Sequence, residues 1–452
     1  SRPSEGHIRG RGERGEVSPA AALPLPANDV PISENKYTLI TDEAVLQEWI
    51  DEARKIGHVC IDTETTSLTP AKAKLVGVSL SSTPGRAAYI PVGHITQQAD
   101  LLGERSGANI QQLQIDKVVG LLKPLLEDKS VLKIAHNMKY DWQIFAKLGI
   151  NTSPCDDTLL MSYVLDGASH KHSMDALSEH YFDHTPIAFK DVAGSGKSQV
   201  TFDHVDIEKA LDYAAEDADI TLRLYHVLKP RLVAEKMVAV YEMIERPLIP
   251  VIAQMELDGI KVDPAFLKGL SQDFSKRILD LEGEIYALAG TSFNIGSPKQ
   301  IGDILFDQMG LQGGGKTKTG QYSTDVKALE ELALQGHEIV QKILDWRGLS
   351  KLKSTYTDAL QEQINPDTGR VHTSFSMVGT STGRLASSDP NLQNIPIRTE
   401  DGRRIREAFI AKDGHHLLSV DYSQVELRLA AAIANVEALK NAFKDGVDIH
   451  KL

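Results

Sequence analysis

The sequence predicts two domains of different class: an α/β domain with a mixed sheet and helices, then an α+β domain that is helical in its first half. Three observations lead there. The chain has 452 residues, more than one hydrophobic core usually supports. Apolar, β-rich runs come first and long amphipathic runs follow them within residues 37–235, the order expected of a sheet with helices packed on it. From Tyr241 onward that order reverses, with helical periodicity giving way to β-rich segments after Pro366-Asp367-Thr368-Gly369.

Residues 1–36 are rich in Gly, Pro, Ser, Arg and Glu, with Pro19, Pro24, Pro26 and Pro31 spaced through the later part. This composition reads as a flexible linker or tail. His58 to Ile61 is a short apolar strand ending in Asp62-Thr63-Glu64-Thr65, and Lys74 to Ser81, Arg86 to Val92 and Val131 to Ala135 are further strands. Met138 to Leu148, Asp157 to Leu165, Ser173 to Tyr181 and Ile207 to Lys236 carry helical spacing. In the second domain, residues 236–452, helices are expected over Asp280 to Ala289, Pro298 to Met309, Thr324 to Leu334 and Ile339 to Leu360. Arg370 to Met377 is β-rich, and His416 to Val420 is a final apolar strand. Gln424 to Asn435 alternates like a strand at first but continues Ala-rich, which favours helix.

Composition narrows the function. Lys and Arg number 49 against 62 Asp and Glu, a net charge of −13. That balance opposes coating of nucleic acid by bulk charge, yet it suits an enzyme that clusters carboxylates around metal. Only Cys60 and Cys155 are present, so neither a disulfide framework nor a four-ligand Cys/His zinc site is expected, in keeping with a reducing, cytoplasmic setting. No apolar run approaches the roughly 18 residues that span a bilayer. The chain stops at Asp448-Ile449-His450-Lys451-Leu452 without a cap or polar tail and reads as cut inside a domain.

Asp62 and Glu64 stand two apart at a strand end and therefore share a face. Two carboxylates about 4 Å apart repel by roughly 4 kcal/mol at an effective dielectric of about 20, unless a cation sits between them. All-oxygen ligands select hard ions such as Mg²⁺ or Mn²⁺. A solvated strand end is the plainer reading of these residues alone. Asn137 and Asp141 follow another apolar strand, with Asp141 in the first turn of a helix, and Tyr213 and Asp217 lie four apart on one helical face.

Taken together, Asp62-x-Glu64, Asn137-x-x-x-Asp141 and Tyr213-x-x-x-Asp217, in this order and spacing, resemble the three motifs of the proofreading 3′-5′ exonuclease domain of the bacterial DNA polymerase I family. The resemblance implies a ribonuclease H-like fold over residues 37–235. It also implies two metal ions, Mg²⁺ or Mn²⁺, one held by Asp62, Glu64 and Asp217 and the second served by Asp62 and Asp141. Tyr213 would orient the attacking water, and Leu68, Asn137, Tyr140 and Phe189 would hold the frayed DNA 3′ end. His136 stands where this family is expected to carry Gln.

The second domain resembles the polymerase part of the same family, family A. The run Gly383-Arg384-Leu385-Ala386-Ser387-Ser388-Asp389-Pro390-Asn391-Leu392-Gln393-Asn394-Ile395-Pro396-Ile397-Arg398 is one long match, and Asp421-Tyr422-Ser423-Gln424-Val425-Glu426-Leu427-Arg428 matches motif A. The resemblance implies a helical thumb and the first part of a palm, with two metal ions in its site also. It assigns Asp421 and the Tyr422 carbonyl to metal, and makes Glu426 a gate against the ribose 2′-hydroxyl. Arg384, Asn391, Gln393, Asn394 and Arg398 would contact primer and template. Lys316, in Lys316-Thr317-Lys318-Thr319, and Lys351 and Lys353, in the acid-free run Trp346 to Tyr356, stand at thumb positions and read as phosphate contacts. A solvated helix face is the alternative for these lysines.

Gly310 to Thr317 satisfies a P-loop pattern, and Ala193 to Ser198 half does. A P-loop needs a strand before it and a helix after it. Here a helix precedes the first, so nucleotide binding is not expected there. The expected partners are a DNA primer-template, single-stranded 3′ ends, deoxynucleoside triphosphates for the complete protein, and a complementary C-terminal segment; the chain is expected to be a monomer. An RNA-processing 3′-5′ exonuclease and a non-catalytic DNA-binding chain are the two competing readings. The length of the Gly383 to Arg398 match opposes the first, and the presence of all four acids with Tyr213 opposes the second.

Overall fold

The computed structural model of the chain describes residues 31–95, 111–312, 315–316 and 320–446. Of the tail read over residues 1–36, residues 1–30 lie outside the described residues, as do most of the segment around Gly313 to Thr319 and the last residues, from 447.

The first half alternates strand and helix. In order it comprises β1 (Lys36–Leu39), α1 (Glu43–Ile56), β2 (His58–Thr65), β3 (Leu75–Thr83), β4 (Arg86–Pro91), α2 (Ile115–Leu126), β5 (Leu132–Ala135), α3 (Met138–Lys147), β6 (Cys155–Asp157), α4 (Thr158–Asp166), α5 (Met174–Phe182), α6 (Phe189–Ala193) and α7 (Ile207–Ala234). The six strands form one mixed sheet in the order β1-β4-β3-β2-β5-β6. β2, β5 and β6 run parallel and β3 runs against both its neighbours. Capping explains where the helices begin. Asp42 accepts the Ala44 and Val45 amides at 2.8 and 3.2 Å, Asp206 opens α7 in the same way, and Gly57, at φ 87°, closes α1.

Period-two alternation in β2 decides what faces what. Val59 and Ile61 belong to the main core with α1 and α2, whereas Cys60 packs with Ile134 and with Leu222 of α7 on the other face. Asp62 and Glu64 share the parity of Cys60 and so emerge at the strand end on the α7 face. α7 is held over the sheet by Asp219, which accepts the Gly85 amide at 2.6 Å and pairs with Arg223 at 3.0 Å. Gly77 of β3 stands opposite Glu64. A Cβ there would lie 2.2 Å from the Tyr89 hydroxyl, so only glycine lets that ring cross beneath the strand.

The second half is helical and then irregular. A short turn, α8 (Val238–Val240), leads through a π-turn over Tyr241–Glu245 into α9 (Arg246–Asp258) and then β7 (Ile260–Val262). α10 (Pro264–Ala289) begins earlier than the sequence reading, because Asp263 caps it through the Ala265 and Phe266 amides with Pro264 at its first position. α11 (Pro298–Gly302), α12 (Val326–Leu334), α13 (Glu338–Leu352) and α14 (Ala359–Glu362) follow. Short strands β8 (Ile364–Asn365), β9 (Arg370–Val371), β10 (Ser374–Ser376) and β11 (Ala386–Ser388) precede α15 (Glu400–Glu407), β12 (Phe409–Ile410), α16 (Val425–Ile433) and α17 (Glu437–Lys444). The ambiguous run at Gln424 is thus helix. Tyr241, Ile249, Ile252 and Met377 pack in the same core as the first-half sheet, so packing is continuous between the halves.

One element is corrected. Residues 416–420 form no strand, and Leu417, Leu418 and Val420 are 57, 88 and 83% exposed. A strand needs a neighbour for its backbone groups, and among the described residues none pairs with this segment. Cys60 and Cys155 are both buried and free, and no helix of the described residues is long and apolar enough to cross a membrane.

Candidate metal-dependent exonuclease site

The α7 face of β2 and the first turns of α3 meet in a cleft of about 630 Å³. Oxygens of Asp62, Glu64 and Asp217 lie within 4.8 Å of one another there. Burial raises the pKa of each: Asp62 is pushed up to about 6, and Glu64, Asp217 and Asp141, where the neighbouring carboxylates add repulsion, well above the usual carboxylate range. Glu64 Oε1 is buried with no hydrogen-bond partner. A buried acceptor left unmatched costs about 1–3 kcal/mol, and a divalent ion between the carboxylates would relieve both that and the repulsion. The donor set is all oxygen, as Mg²⁺ or Mn²⁺ requires.

Asp141 reaches the cluster from α3. Its Oδ1 accepts the hydroxyl of Thr63 at 2.6 Å, so the residue between the two β2 acids fixes the third. α3 itself starts on Asn137, whose φ of 68° is left-handed. That turn is stabilised by Asp157, which accepts the Asn137 and Met138 amides at 3.0 Å each and also caps α4 through Leu159. Tyr140 contacts the Thr65 hydroxyl and donates to the Ser67 carbonyl at 2.6 Å. Tyr213 lies one turn before Asp217; its phenol pKa is raised by burial and by the Asp217 and Glu64 charges, so it stays protonated. Phe189 and Phe202 pack about its ring at centroid distances of 6.2 and 5.8 Å. Leu68 is 95% exposed on the rim. His136 bonds Thr158 at 2.8 Å, and burial lowers its pKa to about 4, so it lines the cleft neutral.

All the first-half site residues named from the sequence therefore come together. Thr63, Thr65, Asp157 and Phe202 were missed. Asp157 carried a signal, an acid directly before an apolar helical run; the others are fixed by contacts distant in sequence.

The second-half residues do not assemble in the same way. Asp421 and Tyr422 sit in the exposed segment after residue 420, not at a strand end, because that strand is absent. Arg384 pairs with Glu426, linking the run from Gly383 to Arg398 with the segment after Asp421. Gln393 braces its own loop, accepting the Ser387 amide at 3.0 Å and donating to the Leu385 carbonyl at 3.1 Å. Asn391 accepts the Gln393 amide at 3.0 Å, the Asn394 carbonyl accepts the Tyr356 hydroxyl at 2.6 Å, and Arg398 is exposed. Lys353, read as a phosphate contact, is paired with Asp358 at 2.6 Å, an acid just past the run that had looked acid-free. Lys351 is exposed, and Lys316 lies 5.3 Å from the Tyr322 ring centre. Among the described residues a helical segment, not a strand, leads directly into Gly310 and no helix follows Lys316 before α12, as the P-loop argument expected.

Comparison with known proteins agrees with this geometry. Residues 37–233 match the family described as 3'-5' exonuclease, and residues 264–452 match DNA polymerase family A. DNA polymerase I of Rhizobium leguminosarum is 54% identical over 432 residues, 94% of this chain and 42% of the relative. That of Pseudomonas aeruginosa is 45% identical over 444 residues, 97% of this chain and 46% of the relative. Among solved structures, the POL domain of Pol1 from M. smegmatis in complex with DNA primer-template and dNTP superposes with a TM-score of 0.75 at 28% identity, covering 92% of this chain and 66% of that one. The chain spans less than half the length of the two curated relatives. Residues 264–452 thus fall in DNA polymerase family A, behind a segment, residues 37–233, that falls in the 3'-5' exonuclease family.

Proposed function

We propose that this chain removes nucleotides from the 3′ end of single-stranded DNA with Mg²⁺ or Mn²⁺, and that its second half contributes to a template-directed DNA polymerase. The observation that carries the first reading is the triad Asp62, Glu64 and Asp217 within 4.8 Å, with one buried carboxylate oxygen left without a partner. Asp62, Glu64 and Asp217 would hold one ion, and Asp62 with Asp141 would serve a second. Ions held there supply positive charge to the attacking and leaving oxygens of a phosphodiester. The protonated Tyr213 hydroxyl orients the attacking water. Leu68 and Phe189 wedge and stack the terminal bases, a contact that every base offers, while Asn137 and the doubly anchored Tyr140 fix the strand from α3.

The polymerase reading is supported by the family match and by a neighbour solved with primer-template and dNTP. In it Asp421 and the Tyr422 carbonyl hold metal, Glu426 excludes the ribose 2′-hydroxyl, and Lys316, Lys351, Lys353, Arg384, Asn391, Gln393, Asn394 and Arg398 contact DNA. Residues 37–235 would form the exonuclease domain of a cytoplasmic monomer and residues 236–452 part of the polymerase domain, after a linker over residues 1–36. The test is degradation of an end-labelled single strand. Mg²⁺-dependent shortening from the 3′ end that is lost in Asp62→Ala is expected; shortening that persists in EDTA or in that variant overturns the reading.

A further inference from the structure

Glu256 of α9 is 4% exposed, and its carboxylate is held by groups from two other elements, α3 and β10. Lys139 of α3 forms an ion pair with its Oε1. Gln143 of α3 donates to its Oε2 at 2.6 Å, and the Phe375 amide of β10 donates to Oε1 at 2.5 Å. His372 contacts its backbone carbonyl at 2.8 Å. Lys139 and Gln143 flank Asp141 on the same helix, 8 and 1% exposed. One carboxylate thus ties the helix carrying an exonuclease acid to a strand of the polymerase-family segment.

A second observation gives this tie a place in function. A cavity of about 380 Å³ lies among α3, β10 and the starts of α4 and α5, lined by His136, Asn137, Lys139, Leu159, Met174 and Phe375 among others. His136 and Asn137 also line the larger cleft at Asp62, so the two cavities adjoin there. A buried ion pair is a weak source of stability, because desolvation offsets most of the attraction; what it fixes is geometry.

We propose that Glu256 is a positioning residue for the exonuclease cleft: holding α3 and β10 to one carboxylate, it sets the width of the passage by which a strand of several nucleotides reaches Asp62, Glu64 and Asp217. The inference rests on the exonuclease reading above. A dinucleotide, short enough to occupy only the carboxylate end of the cleft, does not need the passage.

The experiment compares the native chain with Glu256→Gln on a labelled single strand of several nucleotides and on a dinucleotide, both with Mg²⁺. For the longer strand kcat/KM should fall about tenfold, within the range usual for coupled sites, and mainly through KM. Dinucleotide cleavage should stay at the native rate. Lys139→Met/Glu256→Met, which removes both charges and so avoids a stranded buried ion, should show the same split and serves if Glu256→Gln folds poorly. Equal losses on both substrates would mean that Glu256 merely supports α3, and no loss on either would mean that it does not position the strand; both results overturn the inference. A native chain that cleaves neither substrate overturns the exonuclease reading and this inference with it.

Discussion

Asp62 and Asp421 were read from the sequence in the same way, each as a carboxylate closing a short apolar strand, and the molecule treats them differently. The strand before Asp62 lies between β3 and β5 in a six-stranded sheet, under α7 and against α3. Its acids are therefore driven together, away from water, with raised pKa values. The segment before Asp421 has no pairing strand among the described residues and leaves Leu418 and Val420 over 80% exposed. A strand-end aspartate is driven in among other carboxylates only where the rest of the sheet confines it.

The sharpest test of that contrast is substitution of both. Asp62→Ala should lower strand degradation by more than about 10³-fold, beyond what one electrostatic contact usually contributes, while Asp421→Ala should leave degradation at its native level. An equal loss in both, read in a gel assay with Mg²⁺, would break the comparison. Tyr213→Phe keeps the ring among Phe189 and Phe202 and removes only the hydroxyl, so a loss of about 10²-fold is expected, smaller than for Asp62→Ala. Limited proteolysis followed by mass spectrometry should cut first within residues 411–424 and later anywhere in 36–262, since exposed backbone without partners opens most readily.

Stability should respond in the opposite sense to activity. The folded-state pKa of Asp62 lies near 6, above the ordinary value of 3.8, so the folded protein binds the extra proton between these values. Its contribution to stability is present below about pH 4 and is lost as pH rises through about 6. Asp62→Asn removes that dependence, so metal-free Asp62→Asn should melt higher than the native chain at pH 7.5, by about 1–2 kcal/mol. The gain should shrink at pH 5 and on adding Mg²⁺ to the native chain. A gain that is the same at both pH values would mean that the buried Asp62 charge is not its source. The smallest effect concerns Lys316, where Lys316→Ala should lower the salt dependence of primer-template binding by a log–log slope of roughly one. No change would return that lysine to the solvent.

The sequence by itself determined the carboxylate site to the extent that local periodicity places side chains. Two residues apart on a strand puts Asp62 and Glu64 on one face, and four apart on a helix does the same for Tyr213 and Asp217; both follow from backbone geometry that any context preserves. The start of α10 at Asp263-Pro264 was equally local and was overlooked. Tertiary structure alone decided the rest. Thr63 meets Asp141 across 78 residues of sequence, and Glu256 meets Gln143 across 113. It also decided that 416–420 is no strand, because an apolar run encodes a willingness to pair, while the partner that would make it a strand lies elsewhere in space.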